Sequence, residues 1–217
     1  RQQLLKLGDI SKEEADSFEL EGDSIVGKVR GVTFQATPFH ALKSLNGPLL
    51  FHLDLGFFPP LYINEIKAPL HALTYATLNA LREQNLPVAA VTLSYSNLSG
   101  DIPLQVRFLG GLITRTIKTP ELLDQQLPAN DSRRNEALYL GNFFQKEKIL
   151  ELYRHMENEA PEDATIKYDL YQTTRQFNQG NKALEYLSQA ASIDPLYALE
   201  YLDLSVVALE KEQPDEA

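Results

Sequence analysis

The chain has 217 residues, no cysteine and a formal net charge of −10, with 43% hydrophobic and 23% charged residues. These are ordinary globular values, with room for one large domain or two modest ones, each able to bury a core. They exclude a disulfide framework and thiolate chemistry, and the lack of any long apolar run excludes a membrane-spanning helix. The acidic balance argues against nucleic acid or anionic lipid as the partner.

The sequence begins at Arg1 and stops at Ala217, which reads as a processed or excised form; a cysteine-free chain is compatible with an extracytoplasmic compartment without fixing one. Residues 1–7 are amphipathic, and Ser11-Lys12-Glu13-Glu14 has the pattern of a capping box opening one helical turn. From Ser17 the apolar period drops to two, at Phe18, Leu20, Ile25, Val26, Val29, Val32 and Phe34, punctuated by Gly22-Asp23, Gly27 and Gly31, which predicts strands joined by tight turns. Residues 38–45 read as a short helix stopped by Asn46-Gly47-Pro48. LLFHLDLGFF (49–58) is a dense apolar run of strand length, ended by Pro59-Pro60. A helix is predicted over 68–85, with Leu70, Leu73, Ala76, Thr77, Ala80 and Leu81 on one face. PVAAVTLS (87–94) reads as a second continuous apolar strand. Residues 103–117 read as a helix facing inward through Val106, Leu109, Gly110, Ile113 and Ile117. Strand, helix, strand, helix, with strands apolar on both sides, predicts an α/β domain over 1–128 with a mostly parallel sheet and an N-terminal β-hairpin. The polar, Pro-bounded stretch 120–132 marks its end, and 129–217 is all helix. Most of the acid lies there: 9 Lys/Arg against 17 Asp/Glu, giving −8.

Two short motifs have simpler explanations. GDSIVGKV (22–29) nearly spells a phosphate-binding loop, but that loop needs a hydroxyl where Val29 stands and a helix where Gly31 follows. Gly22-Asp23-Ser24-Ile25 resembles the nucleophile block of GDSL-type esterases, yet none of His40, His52, His71 or His155 has an Asp three residues before it to supply the base. A hairpin turn accounts for both.

His52-x-Asp54 is a stronger candidate. Strand alternation puts both side chains on one face at the carboxyl end of a predicted buried strand, where open α/β sheets place ligands. The strand LLFHLDLGFF, followed by TYATLNALREQNLPVAAVTLSYSNLSG, resembles the later half of the arginase/deacetylase-like α/β fold over residues 45–118. That resemblance implies divalent metal held by carboxylates and histidines, with His52 and Asp54 as the matching ligand positions and water activated for hydrolysis. Gly56 departs from the pattern where a further Asp often stands. Ser94, Ser96, Asn97 and Asp101 would flank the pair, and Arg107 would open the next helix, facing an anion or a local carboxylate.

The helical part is periodic. ATIKYDLYQTTRQFNQGNKALEYLSQAASIDPLY (164–197) recurs at a spacing of thirty-four in 130–163 and in the incomplete 198–217. Each complete unit has two apolar series of period 3.6 around a turn, closed by Pro161 or Pro195, and the third repeats the first series at Tyr201, Leu204, Ser205 and Ala208. One such pair cannot bury its face alone, so the units stack. Spacing, the small residues Ala137, Ala183, Ala190, Ser205 and Ala208, and the closing prolines resemble the tetratricopeptide repeat family. Departures are Tyr171 where the family prefers a small residue, Lys167 in place of an aromatic, and a turn displaced toward Gly180. The resemblance implies a concave contact surface on the first helix of each unit: Thr165, Tyr168, Gln172, Arg175 and Gln176, then Leu199, Leu202 and Val206. The expectation is a non-catalytic scaffold that binds a protein or peptide partner without a cofactor. The alternative is a metal-dependent hydrolase that needs a divalent ion at His52 and Asp54.

Overall fold

A computed structural model describes residues 10–38, 41, 47–58, 70–95 and 104–210. The expected amphipathic start, most of the helix over 38–45, and Ser96, Asn97 and Asp101 lie outside these residues. Contacts gather the chain into two compact units, Arg1–Pro48 with Arg82–Pro87, and Leu49–Leu81 with Val88–Ala217. The compositional boundary at 128/129 falls inside the second of them.

In the first unit, α1 (Lys12–Asp16) opens with the predicted capping box: Glu14 N–H donates to Ser11 Oγ at 3.2 Å and Ser11 N–H to Glu14 Oε2 at 2.7 Å. Backbone N–H groups of Ser11 and Arg30 hold the Glu14 carboxyl below the usual carboxylate range. Strands β1 (Glu19–Glu21), β2 (Ser24–Val29) and β3 (Val32–Ala36) form an antiparallel meander in the order β1-β2-β3. Val29 pairs with Val32 across Arg30 and Gly31, both at positive φ (51° and 79°), the backbone of a tight hairpin turn. GDSIVGKV thus runs from a turn into a strand, and Ser24 Oγ is occupied by Thr37 Oγ1 at 2.9 Å and Gln35 Nε2 at 3.1 Å.

In the second unit, β4 (Leu49–Asp54) and β5 (Val88–Ser94) pair in parallel, with His52 beside Thr92 and Asp54 beside Ser94. The crossover holds α2 (Leu70–Glu83). Phe51, Leu53, Val91 and Leu93 meet Leu70, Leu109, Leu112 and Ile113 in one core. The strands differ from expectation in burial and in sheet organisation. The apolar runs predicted burial on both faces, but Leu50 is 82% exposed and Ala90 and Thr92 are exposed. Alternation sends only every second side chain to the core. The described strands therefore make two small sheets, one antiparallel and one parallel, rather than one mostly parallel sheet. The helix expected over 103–117 is broken at Arg107 into a 3-10 turn (Leu104–Val106) and α3 (Phe108–Lys118).

Five helices follow: α4 (Ala129–Gly141), α5 (Lys146–Glu159), α6 (Ala164–Arg175), α7 (Gly180–Ile193) and α8 (Leu199–Glu210). Helix α4 packs on α5, α5 on α6 and α6 on α7, while α7 and α8 are joined through the 3-10 turn Pro195–Ala198, which packs on both. The spacing of thirty-four reappears in the backbone. Asn142 and Gln176 end α4 and α6 in the same conformation (φ −67°, ψ −16°; φ −69°, ψ −13°). Phe144 and Asn178 take positive φ in the turns (55° and 57°). Helices α5 and α7 then start and stop thirty-four residues apart, closed by Ala160 and Asp194 before the two prolines. Ala137, Tyr153, Met156, Ile166 and Leu170 form one core layer, and Tyr168, Tyr171, Ala183, Leu187, Ala190 and Tyr197 the next. Leu104 belongs to that second layer, so the turn after β5 is packed into the helices.

Candidate functional site

The predicted contact residues lie on α6, which begins where the Asp163 carboxylate accepts from Thr165 N–H at 2.8 Å. They divide into a buried layer and a rim. Tyr168 is 1% exposed, so it is a support beneath the surface and not a contact residue. Its hydroxyl donates to Glu200 Oε2 at 2.5 Å and accepts from Gln172 Nε2 at 2.8 Å. Tyr171 donates to Glu200 Oε1 at 2.8 Å and accepts from Arg175 Nη1 at 2.8 Å; that nitrogen is also 3.4 Å from Glu200 Oε1. Burial and the adjacent Glu200 carboxylate raise both phenols, Tyr171 to about 12, which keeps them protonated as donors. Thr165 is half-buried and spent on Asp163 and Arg134. Gln172, Arg175 and Gln176 form the accessible rim, with the Arg175 side chain 51% exposed. On α8, Leu202 and Val206 are exposed, whereas Leu199 is half-buried against the core. The bulky Tyr171 is accommodated by packing on Tyr168 (centroids 5.6 Å apart) with its hydroxyl paired to Glu200.

Sequence reasoning missed Glu200, which ties α8 to α6. A signal was present: Glu200 lies thirty-four residues after Ile166, so a carboxylate occupies a slot that is an apolar core position in the preceding unit.

A second polar seam runs through the unit's interior. Arg134 Nε donates to Asp169 Oδ2 at 3.0 Å and Nη2 to Thr165 Oγ1 at 2.7 Å, while its guanidinium lies over the Phe108 ring at 4.7 Å. Burial outweighs Arg134 and lifts the Asp169 carboxyl to about 6. His71 stacks on Phe108 with centroids 5.2 Å apart and is 0% exposed; neither ring nitrogen has a hydrogen-bond partner among the described residues. Burial, then the positive charges of Arg134 and Arg115, depress it to about 3, although Asp131 Oδ1 is 3.9 Å away. Arg107 pairs with Asp194 at 2.7 Å and lies over Tyr95 at 4.6 Å. It therefore meets a carboxylate of the helical part.

His52 and Asp54 do share the solvent side of β4. His52 Nδ1 is 2.8 Å from Thr92 Oγ1 across the strand pair. Asp54 Oδ1 accepts from Gly56 N–H at 2.7 Å, capping the 3-10 turn Leu55–Phe57. Each has a structural partner, and among the described residues no three His, Cys, Asp or Glu side chains converge. Comparison with protein-family models, with curated proteins and with solved structures returned no match.

Proposed function

We propose that the chain is a non-catalytic interaction protein whose tetratricopeptide-like helices hold a peptide or protein partner. The partner would lie along Gln172, Arg175 and Gln176 of α6 and continue onto Leu202 and Val206 of α8. The observation that carries this reading is Arg175, whose Nη1 is held by Tyr171 and Glu200 while its side chain stays half-exposed. A donor fixed in this way loses little freedom on binding, and Arg is among the residue types that most often dominate interface energies. The thirty-four-residue recurrence supports it too, since a step from Tyr168 and Gln172 lands on Leu202 and Val206 and lengthens the face.

The test is to select peptides from a displayed library on the full chain and titrate the winners by calorimetry. Arg175→Ala and Val206→Glu should each weaken binding by about tenfold or more, on the order of 1–3 kcal/mol. Peptides that bind both variants as well as the parent would sink the reading.

The alternative is a metal-dependent hydrolase. It draws on the placement of His52 and Asp54 on one open face at the carboxyl end of two parallel strands. Two protein ligands hold a catalytic divalent ion poorly, so it requires ligands from outside the described residues. Elemental analysis after dialysis, beside an Asp54→Ala control, decides: the interaction reading expects no stoichiometric metal in either protein. About one equivalent, lost in the control, would establish the alternative.

A further inference from the structure

The turn edge of the helices, where α4 passes into α5 and α6 into α7, holds a surface that adjoins the α6–α8 rim at Gln176 and is made of other side chains. Tyr139 and Phe143 pack there with tilted rings, centroids 5.1 Å apart, and both are exposed. Phe144 is 82% exposed at φ 55°, a conformation that bulky L-residues avoid. Its counterpart thirty-four residues on is Asn178, which tolerates that φ. Lysines gather at the same edge: Lys146 and Lys148 in the first turn of α5, and Lys182 in the first turn of α7. The Lys146 ammonium reaches the Gln176 carbonyl at 3.4 Å, which brings the two turns side by side.

These lysines run against local stability. A cation in the first turn opposes the helix dipole, yet Lys148 recurs as Lys182 at the repeat spacing, and neither has an ion pair among the described residues. The opposite edge of the same helices carries Glu157, Glu159, Glu162, Asp163 and Asp194, and there Glu157, Glu159 and Asp194 are answered by Lys167, Arg133 and Arg107. Glu147 is the single acidic residue between Asn142 and Lys148, and none lies between Gln176 and Lys182. A strained, exposed aromatic residue and unpaired cations at one edge of an acidic array are features of a docking surface, since strain of this kind concentrates where it serves function.

We infer that this edge docks an acidic peptide segment bearing an apolar or aromatic side chain. The apolar group seats on Tyr139, Phe143 and Phe144, and the carboxylates meet Lys146, Lys148 and Lys182. The site does not depend on the α6–α8 rim. Charge complementarity selects the partner: a basic segment would meet three lysines, and a neutral one would leave their charges unanswered.

The experiment uses the full chain, isotopically labelled, titrated at low salt with a synthetic peptide of alternating Glu and Phe. A Lys/Phe peptide of equal length and vesicles containing one-third phosphatidylserine serve as the other probes. Amide shifts should move at Tyr139, Phe143, Phe144 and Lys148 with the acidic peptide only, and fade as sodium chloride is raised. Lys148→Glu with Lys182→Glu should weaken binding at least tenfold. Phe144→Asn should raise the melting temperature by relieving the backbone, and still weaken peptide binding about fivefold or more. That opposite movement separates a docking role from a structural one. No shift at millimolar acidic peptide, equal response to the basic peptide, or binding to vesicles alone would overturn the inference.

Discussion

Arg134→Met should destabilise the fold by about 3–5 kcal/mol, because it strands the Asp169 carboxylate in the interior without its guanidinium partner. The side chains are 6% and 13% exposed, so water cannot take Arg134's place. Thr165 also loses its guanidinium donor, and Phe108 the cation above its ring. The double variant Arg134→Met with Asp169→Leu should recover most of the loss, since an apolar pair costs no desolvation. Urea unfolding of the parent, both single variants and the double variant measures the coupling. Purely additive losses would show that the two side chains do not act as a pair.

Acid should reveal two titrations of opposite sign. His71 has a folded pKa near 3, below its ordinary 6.5, so the folded state takes up its proton later than the unfolded chain. Its contribution is present above about pH 6.5 and is lost as pH falls toward 3. Asp169 runs the other way: its folded value near 6 lies above the ordinary 3.8, so its contribution is full below about pH 4 and is lost as pH rises toward 6. Between about pH 4 and 6 the two largely cancel, leaving the parent nearly flat there. His71→Leu should unmask Asp169, with stability falling by about 1 kcal/mol per pH unit as pH rises through that window. Asp169→Asn should unmask His71, with stability falling as pH drops. Unfolding midpoints at pH 4, 5 and 6 are sufficient, and slopes of the same sign in both variants would refute the account.

The parts of this architecture that were legible in the sequence are those set by local rules. Ser11 and Glu14 announce a cap and Gly31 a tight turn, although Gly27, read as the same punctuation, lies inside β2; the thirty-four-residue spacing fixes where α5 and α7 begin and end. Contacts between distant residues were not legible. An apolar run such as 87–94 says that a strand can be buried, but not whether anything lies over its second face. The α6 contact set was expected from the resemblance of the repeats, and a resemblance could not show that Tyr168 would be drawn beneath the surface by a carboxylate thirty-two residues away. His71, Phe108 and Arg134 come from three different helices, and no local pattern links them.

The turn Leu104–Val106 packs into the helical core and Arg107 grips Asp194 near the end of α7. The natural seam for genetic exchange is therefore not the polar stretch before α4. A crossover there would deliver the helices without Leu104 and the guanidinium that answers Asp194, and would leave the donor strands with an orphaned cation. Lineages that traded this helical array among proteins would have had to carry β4, β5 and the segment after them along as a single heritable block.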